Sequence, residues 1–226
     1  MSVLRDDAGN PRLQAVLFDM DGLLVDTEHA WFEAERRVMA ELGGPWGDAD
    51  ALAMVGGPLT RVARYMVDLA GGGGDAARVE QLLVDTMADL LEAGADHRPG
   101  ADDLLEDLVS AGVPCALVSS SPRVLVEAVL DSVGGDRFAF TIAGDEVERT
   151  KPFPDPYLAA VTRFGAAPAR CIVLEDSPTG VAAGEAAGCV VVAVPFAVPI
   201  DPAPGRIVVG SLNELSADRL RSILED

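Results

Sequence analysis

A single lysine, Lys151, stands in this chain of 226 residues, against sixteen arginines. Cysteine is equally scarce: Cys115, Cys171 and Cys189 are the only three, with no close-spaced pair. That excludes a disulfide framework and a cysteine metal cluster, and the three read as buried small hydrophobes of a reducing compartment. No apolar run approaches the length that spans a bilayer. The polar, acid-bearing start from Met1 to Gln14 lacks the basic-then-apolar pattern of a leader, so a cytoplasmic protein is expected. Positive charge is also short: 17 basic residues face 37 acidic ones, a net charge of −20. Such a balance argues against a nucleic-acid-binding surface and repels anionic ligands at long range. An anionic substrate therefore needs a local cation. Arginine is a broad planar fork, lysine a slim point charge. Lys151 is either the surface remnant of an arginine-biased composition or a place where only the slim charge fits. Its setting, Thr150-Lys151-Pro152-Phe153-Pro154-Asp155, is a proline-fixed turn and favours the second.

Hydrophobic residues are plentiful, at 49%, enough for a sizeable core. Short apolar runs at Ala15–Phe18, Pro114–Val118, Cys171–Leu174 and Val190–Val194 read as strands, with Ile207–Val209 as a last edge strand. Runs apolar on both faces suit parallel strands covered on each side. Helical patterns alternate with them, at Ala101–Ala111, Arg123–Val133, Asp155–Phe164 and Ser177–Ala187, which predicts an α/β fold with a parallel sheet. One interval breaks the alternation. From Thr27 to His97 no strand appears, but Glu28–Leu42, Leu59–Leu69 and Ala76–Leu91 have helical spacing. Gly43-Gly44-Pro45, Gly56-Gly57-Pro58 and the four glycines 71–74 separate them. A helical domain over 27–97, inserted into a core of 1–26 and 98–226, is the expected organisation.

Chemistry gathers where the strands end. Val16-Leu17-Phe18-Asp19-Met20-Asp21-Gly22 ends an apolar strand in two carboxylates. At spacing i, i+2 they project together, and two such charges call for a cation or a shared proton. Gly22 allows a sharp turn or a close approach. The second strand ends in Ser119-Ser120-Ser121-Pro122, which suits either phosphoryl binding at a helix start or plain capping. The fourth site, Val173-Leu174-Glu175-Asp176-Ser177-Pro178, again ends a strand in acids, and Asp176 or Ser177 equally suits the cap of the next helix.

Taken in order, Asp19-Met20-Asp21-Gly22, Ser119, Lys151 and Glu175-Asp176 resemble the four motifs of the haloacid dehalogenase superfamily of phosphoryl-transfer enzymes. Lys-Pro-x-Pro-Asp-x-Tyr, from Lys151 to Tyr157, strengthens the likeness, which spans about Ala15 to Val194. The helical insertion looks like that of β-phosphoglucomutases and small sugar-phosphate phosphatases. The resemblance implies a Rossmann-like three-layer core with a helical cap, and a role for each matched residue. Asp19 would attack phosphorus and become an aspartyl-phosphate; Asp21 would act as general acid, then base. Mg²⁺ would be held by Asp19, Asp176 and the backbone carbonyl of Asp21, with Glu175 direct or through water. Ser119 and Lys151 would hold the phosphoryl oxygens, aided by Gly22 and Ser120. Candidates to meet the substrate from the hinge and cap are Thr27, Glu28, Trp31 and Arg61; Trp31 equally suits the cap's own core and Arg61 a solvated charge. Near the hinge, where such mutases carry histidine, this chain has Trp31, and Glu28-His29-Ala30-Trp31 is similar to sugar and hexitol phosphatases. The implied function is hydrolysis of a small sugar or polyol phosphate, with a phosphosugar mutase and a non-catalytic phospho-ligand module as alternatives. The expected partner is a small phosphorylated metabolite, with neither nucleic acid nor membrane, and a monomer or weak dimer. The proline-rich stretch after Pro195 suggests no role.

Overall fold

The computed structural model describes residues 13–55, 57–92 and 94–225; most of the polar start and Gly56 of the second glycine loop lie outside these. Strands β1 (Ala15–Phe18), β4 (Cys115–Val118), β5 (Phe140–Ile142), β6 (Cys171–Glu175), β7 (Val190–Ala193) and β8 (Arg206–Val208) form one sheet in the order β5-β4-β1-β6-β7-β8. Every neighbouring pair in it is parallel. The alternating elements thus give the α/β fold that the sequence predicts. One strand escapes that reading: β5 is three residues long, too short to carry a pattern.

Side chains alternate between the two faces along each strand. Val16 and Phe18 of β1 join a cluster with α5 (Ala101–Ser110), α6 (Arg123–Val133) and α9 (Ala217–Ile223), through residues such as Leu104, Val129 and Leu220. Ala15 and Leu17 join the opposite cluster, with Tyr157 and Ala160 of α7 (Asp155–Phe164) and Val181 of α8 (Pro178–Ala186). Helices therefore cover both faces, which is why the strands read as continuous apolar runs.

The chain order reverses beside β1. It runs from β1 to β4 and β5 on one side, then returns to β6 on the other. In open α/β sheets ligands bind at this switch point, beyond the carboxyl ends of the strands.

After β1 the chain turns through Gly22, whose φ is +80°, into a short strand β2 (Val25–Asp26) that pairs antiparallel with β3 (Asp96–His97). Between the two lie α1 (Glu28–Leu42), α2 (Asp48–Met54), α3 (Leu59–Leu69) and α4 (Ala76–Leu91). Val38, Met39, Met66 and Leu83 form a core of these helices' own. Helix α2 is absent from the sequence reading, because seven residues give too little periodicity; Asp50 supports its start by accepting from the Gly47 N–H at 3.0 Å.

Candidate active site

Asp19 is the first residue beyond β1 and is buried, at 7% exposure. Its carboxylate accepts a short hydrogen bond from Lys151 Nζ. The same ammonium donates to Glu175 Oε1 at 2.6 Å and to the Val118 carbonyl at 2.9 Å. Three strand ends, β1, β4 and β6, thereby converge on one amine. Glu175 is fully enclosed: Tyr157 donates to Oε1 at 2.6 Å, and Ser177 Oγ to Oε2 at 3.2 Å. An added Cβ at Gly180 would meet the Glu175 carboxylate at 1.8 Å, so α8 packs this closely only because glycine stands there. Ser177, not Asp176, caps α8, its Oγ accepting from the Gly180 N–H at 3.1 Å. Asp176 is left free to face Asp19.

Asp19, Glu175 and Asp176 bring carboxylate oxygens within 4.8 Å of one another. Burial, then the charge of Glu175, push Asp19 up to about 8 against the pull of Lys151. Burial, then Asp19 and Glu175, raise Asp176 well above the ordinary carboxylate range. Burial alone would lower Lys151, but Asp19 and Glu175 hold it above its usual value, and it stays charged. One ammonium thus leaves negative charge in excess among hard oxygen donors, a set that fits a divalent cation. The Asp21 side chain is outside the cluster, consistent with a residue that would offer a metal only its carbonyl.

Asp21 instead has partners of its own. Thr27 Oγ1 donates to Oδ1 at 2.7 Å; Ser121 Oγ donates to Oδ2 at 2.8 Å, with Ser119 Oγ at 3.4 Å. The serine run therefore does not cap α6 with a side chain; its hydroxyls serve Asp21. Ser119 also accepts from the Ser121 N–H at 2.9 Å, while Ser120 is exposed to the cavity. Gly22 is required twice over, by its positive φ and because a Cβ would sit 2.2 Å from Asp176 Oδ2 and 3.3 Å from Phe196.

A cavity of about 140 Å³ opens above these groups. Its floor is Asp19, Asp21, Ser120, Ser121, Lys151 and Asp176, and its roof comes from α1, α2 and α3. Of the hinge and cap candidates, Glu28 and Trp31 line it. Thr27 lies beneath, committed to Asp21, and Arg61 lies outside, its guanidinium donating to the Ala53 carbonyl at 3.2 Å. Sequence reasoning missed Ser121, Glu35 and Phe196. The first hides in a serine triplet and the second in the polar face of a helix. Phe196 packs on Gly22 from the uninterpreted stretch after Pro195.

The model of the haloacid dehalogenase-like hydrolase family matches residues 13–188. Protein CbbY of Rhodobacter capsulatus is 32% identical over 194 residues, 81% of this chain and 86% of that protein. Hexitol phosphatase A of Escherichia coli K12 is 33% identical over 189 residues, 81% of this chain and 83% of its own. Among solved structures, the D10N mutant of CbbY from Rhodobacter sphaeroides, in complex with xylulose-(1,5)bisphosphate, superposes with a TM-score of 0.77 at 29% identity, covering 90% of this chain and 96% of that one.

Proposed function

The chain belongs to the haloacid dehalogenase-like hydrolase family, and from that premise we propose that it hydrolyses a small sugar or polyol phosphate monoester through an aspartyl-phosphate on Asp19, with Mg²⁺ as cofactor. The family and its named phosphatase relatives make it a phosphatase; the metal, the covalent step and the substrate are our reading. The observation that carries it is the buried Asp19–Lys151 pair beside Asp176, set at the switch point between β1 and β6.

Asp19 attacks phosphorus in line, and the bond to the leaving alkoxide breaks. Asp21, steered by Thr27 and Ser121, gives that alkoxide a proton. It then takes one from the water that cleaves the acyl phosphate, restoring both carboxylates and releasing phosphate. Lys151 and the strand-end serines face the equatorial oxygens, where charge accumulates. Asp19, Asp176 and the Asp21 carbonyl would hold Mg²⁺, which supplies positive charge that favours ionised Asp19 and neutralises the phosphoryl group. Residues 27–97 act as a cap that closes over the cavity, and β2 with β3 form its hinge. We place the enzyme in the cytoplasm as a monomer or weak dimer acting on a small phosphorylated metabolite; the net charge of −20 argues against a nucleic-acid partner, and no helix among the described residues is long and apolar enough to cross a membrane.

The test is phosphate release from a panel of hexose, pentose and polyol phosphates, with and without Mg²⁺. Release that requires Mg²⁺ and falls at least about 10³-fold in Asp19→Asn is the expected result. Release indifferent to EDTA or to that substitution overturns the reading. Interconversion of glucose 1- and 6-phosphates, primed by a bisphosphate, would replace it with the mutase.

A further inference from the structure

The roof of the cavity differs in kind from its floor. Trp31, Phe32, Met54, Leu59 and Val62 make it apolar, and two acids, Glu28 and Glu35, interrupt it. Among the described residues that line the cavity, Lys151 is the one basic side chain, and Asp19, Glu175 and the Val118 carbonyl already share it. Among the described residues none that forms the roof is basic; Arg61, beside Gly57, donates to the Ala53 carbonyl instead.

Glu35 is the unusual member. It lines the cavity yet is only 6% exposed, and its Oε2 has no hydrogen-bond partner among the described residues. Trp46 lies close enough to favour its ionised form, but the indole N–H also completes no hydrogen bond. A buried carboxylate oxygen without a donor is costly unless a ligand supplies one. A second anion brought to this roof would meet the carboxyl groups of Glu28 and Glu35 and no basic side chain among the described lining residues, in an enclosure where an uncompensated charge is costly.

We infer that Glu35 determines specificity: it accepts a hydrogen bond from a donor, a hydroxyl or an ammonium, on the alcohol part of the phosphomonoester, so that the cavity selects a singly phosphorylated, donor-bearing substrate and rejects one with a second phosphate or a carboxylate. The inference rests on the phosphatase reading above and narrows it. It also separates this chain from the similar CbbY protein that was crystallised with a bisphosphate. The apolar side chains would lie against the C–H surface of the substrate while Glu35 fixes its orientation.

The test compares kcat and KM of the wild type, Glu35→Gln and Glu35→Ala, with Mg²⁺, on sorbitol 6-phosphate, glucosamine 6-phosphate, fructose 1,6-bisphosphate and p-nitrophenyl phosphate. The wild type is expected to prefer one of the donor-bearing monophosphates over the bisphosphate by about 100-fold. In Glu35→Ala, kcat/KM for that monophosphate, divided by kcat/KM for p-nitrophenyl phosphate, should fall about 10- to 100-fold, mainly through KM. Glu35→Gln keeps an acceptor and the volume: it should retain part of the preference if the donor is a hydroxyl, and lose as much as alanine if it is an ammonium. A wild type that prefers the bisphosphate overturns the inference, as does an equal loss on every substrate, the mark of a purely structural Glu35. If the wild type hydrolyses not even p-nitrophenyl phosphate, the phosphatase reading has failed and this inference goes with it.

Discussion

Lys151 spends its three N–H bonds on Asp19, Glu175 and the Val118 carbonyl, and only 4% of its surface is exposed. A guanidinium is wider than the space those three acceptors enclose, and its flat fork cannot direct donors to three separate strand ends. Lys151→Arg is therefore expected to lower kcat about 10²- to 10³-fold although the charge is kept; activity near wild type in steady-state assays would show that charge alone matters. Glu35 makes a different prediction, about stability. Burial raises it from 4.5 to about 7, so the folded protein holds a proton there that the unfolded chain has already released. The stability that goes with this proton is fully present below about pH 4.5 and is lost as pH rises through about 7. Glu35→Gln removes the dependence. Chemical denaturation at pH 5 and pH 8 should find the variant gaining on the wild type at the higher pH, by at most about 3 kcal/mol. An identical pH dependence in the two proteins would place the ionised carboxylate in a well-solvated setting.

At the scale of elements, the turn from β1 into β2 carries most of the site's geometry. Gly22 adopts φ +80°, and a Cβ on it would press on Asp176 Oδ2 from 2.2 Å. Gly22→Ala combines left-handed strain of about 1–2 kcal/mol with displacement of the Asp176 carboxylate, a proposed Mg²⁺ ligand. Both the urea midpoint and the Mg²⁺ dependence of activity should worsen; a loss of stability with unchanged Mg²⁺ dependence would separate Gly22 from the site. The strand end itself was legible because its apolar run stops sharply at two acids; Asp19 and Asp21 both reach the cavity floor, but they lie beyond β1 and take different partners, which strand period does not foretell. Lys151 was legible by its singularity. What escaped has a common cause. Ser121 sits between a strand and a helix, where neither period applies, so its bond to Asp21 follows only from the folded turn. The three residues of β5 and the seven of α2 are too few for a pattern. Glu35 has the sequence position of a solvated helical face, and it is buried because α1 packs against α4 and α2, a fact of tertiary assembly. The bond from Tyr157 to Glu175 likewise joins α7 to β6 across 18 residues.

The whole molecule works against its own substrate at a distance. A net charge of −20 surrounds a site that must admit a phosphate dianion, and the cation in the cavity is itself neutralised by carboxylates. Steered enzymes lose rate as salt is added, because screening removes an attraction. Here screening removes a repulsion. At about 10 mM ionic strength the field reaches roughly 30 Å; at about 150 mM it fades within about 8 Å, less than the size of the protein. Close contacts to Lys151 are screened far less, since they are buried. Raising NaCl from about 10 to 150 mM at saturating Mg²⁺ should therefore raise kcat/KM for a phosphate monoester severalfold, through KM, while kcat stays nearly constant. Initial rates across that range decide the matter. A fall in kcat/KM would mean that a local positive field at the cavity mouth outweighs the global charge, and the exposed Arg61 beside the roof, whose guanidinium lies outside the cavity, would be its source, to be tested by Arg61→Ala.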